Sequence, residues 1–463
     1  MSMGTLAGVA LDLGGELKGP DRSFESISTD TRTIGPGQLF FALRGERHDA
    51  REFVADAADR GAAGAVVEQL AEAGLSQVEV GDSRLALGAL ARKWRQHFDI
   101  PLIGITGSNG KTTVKELTAS IMRVALAEFG DDVVLATRGN LNNDIGVPLT
   151  LMALDDEHEA LVVELGANHL GEIDYLSRLV QPTVGVITNA CAAHLEGFDS
   201  ITGVATAKGE LLDHLPLAGT AVINADDDFC ADWRARSQAE IVLTFGLDAR
   251  ADCTVIGEIV ADISGCHFTM QLPEGERLDI DLPLVGQHNV LNALAAAAAA
   301  HAMGAVAEDI ANGLSSAHAV QGRLNVLRGR GGAAIIDDSY NANPASVRAA
   351  LDYLAQASGV RILVLGDMAE LGSREREQHR EIGQYAVDRC DELLTLGLLA
   401  RQAADVFGSE GRSFDDIGLL GEALEALLAD DVTILVKGSR VIGLDRLVKL
   451  LRSDHESGEV PTC

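Results

Sequence analysis

The chain has 463 residues, of which 47% are hydrophobic, 23% charged and 4% aromatic, and its formal net charge is −32. At about 150 residues per domain this length predicts roughly three domains, large enough to bury a core without disulfide or metal staples. So acidic a chain repels nucleic acid and anionic membranes, which argues against both as partners, and any anionic substrate has to be held by local amides, a few Arg or Lys, or metal ions.

The six cysteines, Cys191, Cys230, Cys253, Cys266, Cys390 and Cys463, include no CxxC pair. That is neither a disulfide framework nor a zinc site, and it fits a reducing compartment. The start, "MSMGTLAGVALDLGGELKG", has no basic region ahead of its apolar residues, so no signal peptide is expected. The most apolar run, "VLNALAAAAAAHAMGAVA", is alanine-dominated and interrupted by Asn292 and His301. It predicts a buried helix rather than a membrane span. The expected location is the cytoplasm.

In chain order, residues 1–98 form the first block. "GQLFFAL" and "GAVVE" read as strands, "DAREFVADAADRGA" and "SRLALGALARKWRQHF" as helices. Residues 99–318 form the second. Strands are expected at "PLIGIT", "DVVLAT", "ALVVELG", "TVGVITN" and "TAVINAD", with helices at "KTTVKELTASIMRVAL", "GEIDYLSRLV" and "TGVATAKGELLDHL" between them. Apolar strands alternating with helices imply a parallel sheet covered on both faces. Residues 251–286 break that rhythm and suggest a small antiparallel addition, before the helix "HNVLNALAAAAAAHAMG". In the third block, 319–463, "AAIIDDSY", "RILVLGDM", "ELLTLG" and "VTILVKGS" read as strands separated by helices. The fold class is α/β: a central doubly wound nucleotide-binding domain, flanked by a small N-terminal α/β domain and a C-terminal Rossmann-like domain.

Between the first strand and helix of the second block lies "TGSNGKTT". A phosphate-binding loop needs glycines that turn backbone N–H groups inward, a lysine for the terminal phosphates and a hydroxyl for Mg²⁺. Gly107 and Gly110, Lys111 and Thr112 supply them, although Ile105 stands where the first glycine of GxxxxGK[ST] belongs. Glu164 ends an apolar strand of the same sheet, suited to holding Mg²⁺ or, alternatively, to capping a nearby helix. His194 follows the strand "TVGVITN", on the edge where such sheets collect ligands. Lys208, read alone, is a solvated lysine. Asn140, Asn142 and Asn143 cluster in one loop, as turn formers or as orienting amides for a polar substrate.

Taken together, "TGSNGKTT", "GNLNNDIGVPLTLM", "ELGANHLGEI", "AAHLEGF", "AKGEL", "GQHNVLNALAA", "QGRL", "DDSYNANP" and "VKGSR", with "STDTRTIGPGQLFFALRGERHDAREF" in the first block, occur in order. They closely resemble the Mur ligases of peptidoglycan synthesis, for which TGxxGKT is the normal spelling. "GNLNN" and "DDSYNANP" point to the member that joins D-alanyl-D-alanine to UDP-N-acetylmuramoyl-tripeptide. The resemblance implies an ATP-dependent ligase working through an acyl phosphate. Its first domain would hold the uridine nucleotide, its central domain ATP, and its third the incoming amine. It implies ATP contacts at Thr106, Gly107, Ser108, Asn109, Gly110, Lys111, Thr112 and Thr113, adenine at Asn289, phosphate at Arg323 and ribose at Asp338. Two Mg²⁺ ions would be held by Thr112, Glu164, His194 and Lys208, the last as a carbamate. Lys111, Glu164, His194, Lys208 and Arg323 would carry catalysis. Substrate contacts are implied at Asp30, Arg32, Arg44, Thr137, Asn140, Asn142, Asn341 and Asn343. A monomer is expected. The competing readings are a sister Mur ligase, a folylpolyglutamate synthase-like ligase, a P-loop kinase and a nucleotide-binding protein without turnover.

Overall fold

The computed structural model describes residues 2–45, 49–192, 195–248, 250–262 and 265–452, so His194 lies outside the described residues. In the N-terminal part a five-stranded sheet runs in the order Glu16–Lys18, Gln77–Glu79, Gly64–Val67, Gln38–Phe41, Ser26–Ser28. Its first pairing is antiparallel and the others are parallel. The two expected strands are two of its three inner members. The three-residue strands around them carry too few apolar positions for periodicity to register.

The helix Ser83–Arg95 leaves this sheet for the next layer. Asp82 caps it, accepting from the backbone N–H groups of Arg84 and Leu85. Its last turn is stitched to the central part of the chain. Trp94 Nε1 donates to the Leu154 carbonyl at 3.0 Å, and Arg95 donates to the carbonyls of Val180 at 2.9 Å and Phe98 at 3.0 Å.

The central sheet is wholly parallel, in the order Ile241–Phe245, Thr220–Asn224, Val184–Ile187, Leu102–Thr106, Ala160–Glu164, Val134–Ala136. Helices cover both faces, which is why its inner strands are continuous apolar runs with no polar alternation. From Leu102–Thr106 the chain first winds outward through Val134–Ala136 and returns. It then crosses to Val184–Ile187 and winds outward the other way. The winding therefore reverses beside Leu102–Thr106, and the crevice at the carboxyl ends of the strands opens there. The edge strand Ile241–Phe245 goes unread in the sequence because three of its residues are half-buried or exposed.

The alanine-rich run is the helix Gln287–Ala302, with every residue from Ala293 to Ala300 fully buried. It packs against the helix Lys111–Ala125 and the sheet strands beneath. Alanine leaves room for such close approach and is the best intrinsic helix former. The expected antiparallel addition is a three-stranded sheet, Thr254–Asp262, Gly265–Gln271 and Arg277–Leu282. It turns Cys266, Phe268, Met270, Ile280 and Leu282 towards that helix as part of one core.

The third sheet runs Asn325–Arg328, Ala334–Asp338, Val432–Lys437, Val360–Gly366, Glu392–Leu396, Gly411–Phe414, with only the first strand antiparallel. The four expected strands are the inner four. No described helix is long and apolar enough to cross a membrane. Arg95→Met should lower the thermal stability of the full chain by about 1–3 kcal/mol, because it leaves interface carbonyls without their donor. Thermal unfolding checks this, and an unchanged midpoint would show that the stitch contributes nothing.

Candidate functional site

The residues after Leu102–Thr106 turn sharply into the helix Lys111–Ala125. Gly110 has φ 83°, and a Cβ there would lie 2.3 Å from Asn292 Oδ1; at Gly107, φ 147°, it would lie 1.9 Å from Thr188 Oγ1. Only glycine fits either place. Ile105, by contrast, is fully buried strand. The strand simply continues where longer phosphate loops have already begun to turn, so no glycine is required there.

The loop is tied to the end of the neighbouring strand. Ser108 N–H donates to the Asn189 carbonyl at 3.0 Å, Asn109 N–H to Asn189 Oδ1 at 3.0 Å, and Thr188 Oγ1 to the Asn109 carbonyl at 2.6 Å. No side chain caps the helix that follows. Its first N–H groups and the positive end of its dipole are left for an anion. Lys111 Nζ curls onto the loop carbonyls of Gly107 (2.7 Å) and Ser108 (3.3 Å). Burial lowers its pKa, Glu164 opposes that shift, and Arg323 adds to it.

Glu164 is 2% exposed. Thr112 Oγ1 donates to its Oε2 at 2.7 Å and Asn142 Nδ2 to its Oε1 at 2.7 Å, so it caps no helix. Its own N–H donates to Thr137 Oγ1 at 3.0 Å. Thr137, expected to touch substrate, is instead 1% exposed and acts as a support beneath Glu164. The asparagine loop has a mixed role: Asn140 and Asn142 line the cavity, while Asn143 also accepts from Gly146 N–H at 2.9 Å as a turn former. Thr106 donates to the Leu165 carbonyl at 2.9 Å and is fully buried.

Lys208 corrects the reading of a solvated side chain. It is 2% exposed, its ammonium 5.2 Å from the Phe198 ring centroid and 3.5 Å from the Ala167 carbonyl. Burial, and secondarily Lys111, pulls its pKa down to about 7. No local pattern in "TGVATAKGEL" signals this, because Phe198 and Ala167 come from other elements.

The third sheet faces this loop. Arg323 lies over the Tyr340 ring at 4.4 Å. Asp338 pairs with Lys437 at 2.5 Å, and Asn343 Nδ2 reaches across to Asn109 Oδ1 at 2.7 Å. Asn343 also caps the helix Pro344–Leu354. Asn289 is held by the Val285 carbonyl at 2.8 Å and by Asn292 at 2.9 Å. Neighbouring His288 is half-buried, and its desolvation lowers its pKa against the pull of Asp338.

Most of these groups line one cavity of about 960 Å³, bounded on the N-terminal side by Arg84 and Leu85; Thr106, Gly107, Thr137 and Lys208 are not among its lining residues. Arg84, His288, Tyr340 and Lys437 line it without having been singled out in the sequence. The capped helix start "DSRL" and the strand-final lysine of "VKGSR" were the available signals. Asp30, Arg32 and Arg44 are not among its lining residues. Arg32 pairs with Asp30 at 2.6 Å, holding that carboxyl at about 2, and Arg44 lies 3.9 Å from Glu68.

Thr112 and Glu164 are hard oxygen donors beside a loop shaped for phosphate, a donor set that suits Mg²⁺ completed by phosphate oxygens and water. Among the described residues no group of three or more His, Cys, Asp or Glu side chains forms a metal cage.

The Mur ligase middle domain matches residues 105–300, and the Mur ligase glutamate ligase domain matches residues 322–440. The UDP-N-acetylmuramoyl-tripeptide–D-alanyl-D-alanine ligase of Escherichia coli (strain K12) is 42% identical over 454 residues, 97% of this chain and 98% of that one. A crystal structure of MurF from Acinetobacter baumannii superposes with a TM-score of 0.89 at 36% identity, covering 97% of this chain and 98% of that one. One of MurF ligase from Thermotoga maritima in complex with ADP has a TM-score of 0.81 at 26% identity, covering 92% and 96%. With both domains matched in order and ligases of one name aligned over nearly its whole length, the chain belongs to the Mur ligase family.

Proposed function

We propose that this chain is the ATP-dependent ligase that joins D-alanyl-D-alanine to UDP-N-acetylmuramoyl-tripeptide in peptidoglycan precursor synthesis, releasing ADP and phosphate. One observation carries the reading: a phosphate loop, a buried carboxylate–hydroxyl pair and a facing third-domain surface share one cavity, in a chain 42% identical to a ligase of that name. The cavity draws on all three parts of the chain and needs no residue from a second copy, so the enzyme is read as a working monomer. An ATP-consuming protein whose described cysteines are all unpaired suits the cytoplasm.

In the reaction the tripeptide carboxylate oxygen bonds to the γ-phosphorus, the bond to the β-bridging oxygen breaks, and ADP leaves. The dipeptide amine then adds to the acyl carbon, loses a proton, and phosphate departs. The first step brings an anion to a polyanion, and each pair of unit charges about 4 Å apart repels by about 4 kcal/mol at an effective dielectric of 20. The free N–H groups at the start of Lys111–Ala125, the Lys111 ammonium and the Arg323 guanidinium oppose that repulsion. They also stabilise charge on the transferring group. Thr112 and Glu164, with Lys208 if carbamoylated, would hold Mg²⁺, which when bound neutralises phosphate charge. Asp338 and Asn289 would orient the nucleoside, Asn341 and Asn343 the incoming dipeptide. Arg84 and Leu85 close the cavity on the side of the uridine-nucleotide domain. Contact between Asn343 and Asn109 brings the third domain against the phosphate loop, where water would otherwise reach the acyl phosphate.

A coupled ADP-release assay with UDP-tripeptide and D-alanyl-D-alanine, omitting each in turn, tests the reading. Turnover should need both, and turnover with another amino acid in place of the dipeptide would reassign the chain to a sister ligase. Lys111→Ala should lower kcat by at least about 100-fold through lost phosphate stabilisation, and near wild-type turnover would contradict the assigned role.

Carbamoylation adds a pH prediction. Above about pH 7 the neutral Lys208 amine predominates and can add to CO₂ with release of a proton. Below it the ammonium takes over and the adduct is lost. Carbon-13 NMR with labelled bicarbonate should show a carbamate at pH 8 that is absent at pH 6 and in Lys208→Ala.

A further inference from the structure

The "VKGSR" segment lies at the carboxyl ends of three adjacent strands, Ala334–Asp338, Val432–Lys437 and Val360–Gly366. Lys437 is 3% exposed yet lines the cavity. A desolvated ammonium is stable only with partners, and Lys437 has two of different kinds. Its Nζ donates to Asp338 Oδ2 at 2.5 Å and to the Asn341 carbonyl at 3.0 Å.

Each partner leads to a different wall of the cavity. Asp338 Oδ1 accepts from Leu324 N–H at 3.2 Å, next to Arg323 where the chain enters the third sheet. Leu324 has φ 51°, a strained value for a branched residue, so a fixed acceptor is needed to hold that turn. Asn341 begins the segment whose Asn343 bonds to Asn109 of the phosphate loop. Lys437 is thus the common point of a nucleotide-side strut and an acceptor-side strut. The adjacent Ser439 and Arg440 brace the same corner: Ser439 Oγ accepts from Ala369 N–H at 2.7 Å, and Arg440 lies 5.6 Å from the Tyr340 ring centroid.

We propose that Lys437 is a positioning residue of the ligation: by bridging Asp338 to the Asn341 carbonyl it fixes the nucleotide side and the dipeptide side of the cavity relative to each other, so that nucleotide binding favours dipeptide binding. This rests on the ligase reading for the dipeptide arm only. Lysine suits the place because a single-point ammonium can donate in diverging directions, whereas the planar guanidinium of arginine cannot take both acceptors at the same distances.

The test uses the full-length enzyme and its variants Lys437→Met and Lys437→Arg, each checked for folding by circular dichroism. Two constants are measured: the affinity for a fluorescent ADP analogue, and the KM for D-alanyl-D-alanine in ADP release. The expected result is a loss of about tenfold in both for Lys437→Met, with partial recovery of both in Lys437→Arg, as for a charge-assisted pair removed from a buried site. A non-hydrolysable ATP analogue should tighten dipeptide binding in the wild type and not in Lys437→Met. A folded Lys437→Met in which neither constant or only one moves overturns the proposal, as does retained coupling. If Lys437→Met does not fold, the same criteria apply to Lys437→Arg: a parallel shift of both constants supports the proposal and an unpaired shift or none overturns it. Failure of the wild type to turn over with the dipeptide would sink the ligase reading instead, and the nucleotide arm would still report on Lys437.

Discussion

Cations must be concentrated in one small volume of a chain that carries a net charge of −32, and the rest of the site follows from how that is done. Three lysines at or near the cavity are buried or half-buried, and each is kept by a different device. Lys437 has a carboxylate and a carbonyl. Lys111 has two loop carbonyls, with Glu164 acting on it through space. Lys208 has an aromatic face and one distant carbonyl. Burial lowers the pKa of both Lys111 and Lys208, that of Lys208 to about 7. An ammonium with so few polar partners gives up its proton near neutral pH, the condition that the proposed carbamate needs.

Two sheets, one wholly and one mostly parallel, supply the geometry. Each gathers its polar residues at the carboxyl ends of its strands: Glu164 and Thr188 on the central sheet, Asp338 and Lys437 on the third. Parallel strands buried on both faces leave little other room for polar side chains. Facing the two ends towards each other makes one cavity out of two crevices. The Asn343–Asn109 bond is a direct link across it, made by a residue that at the same time caps its own helix. A shift of that helix would therefore be felt at the phosphate loop.

Much of this was legible in the sequence, for a physical reason. Strands covered on both faces must be apolar throughout, so "PLIGIT", "ALVVELG", "TVGVITN" and "RILVLGDM" stand out. Edge strands such as Ile241–Phe245 and Gly411–Phe414 are partly exposed and do not. The phosphate loop was legible because its glycines, lysine and hydroxyl are contiguous. What stayed hidden was assembled from distant segments: the burial of Lys208 under Phe198, the support of Glu164 by Thr137, and the closure of the cavity by Arg84 and Leu85. Thr137 is instructive. The family resemblance implied a substrate contact for it. Its side chain points at a backbone N–H, and only the pairing of Val134–Ala136 with Ala160–Glu164 explains why.

The irregular spelling of the phosphate loop belongs to the same logic. A loop that begins one turn earlier can use its own glycines and amides to hold its shape. Here Ile105 remains in the strand and in the core, so the loop is shorter and needs outside anchors. It finds them at the end of the adjacent strand, where Thr188 and Asn189 satisfy its backbone from Ser108 to Asn109. Phosphate loop and Thr188–Asn189 turn are thus one hydrogen-bonded unit, and replacing Asn189 would disturb phosphate binding without touching phosphate. The missing glycine is not a weakened motif: the loop's rigidity has moved from its own sequence to a neighbour eighty residues away.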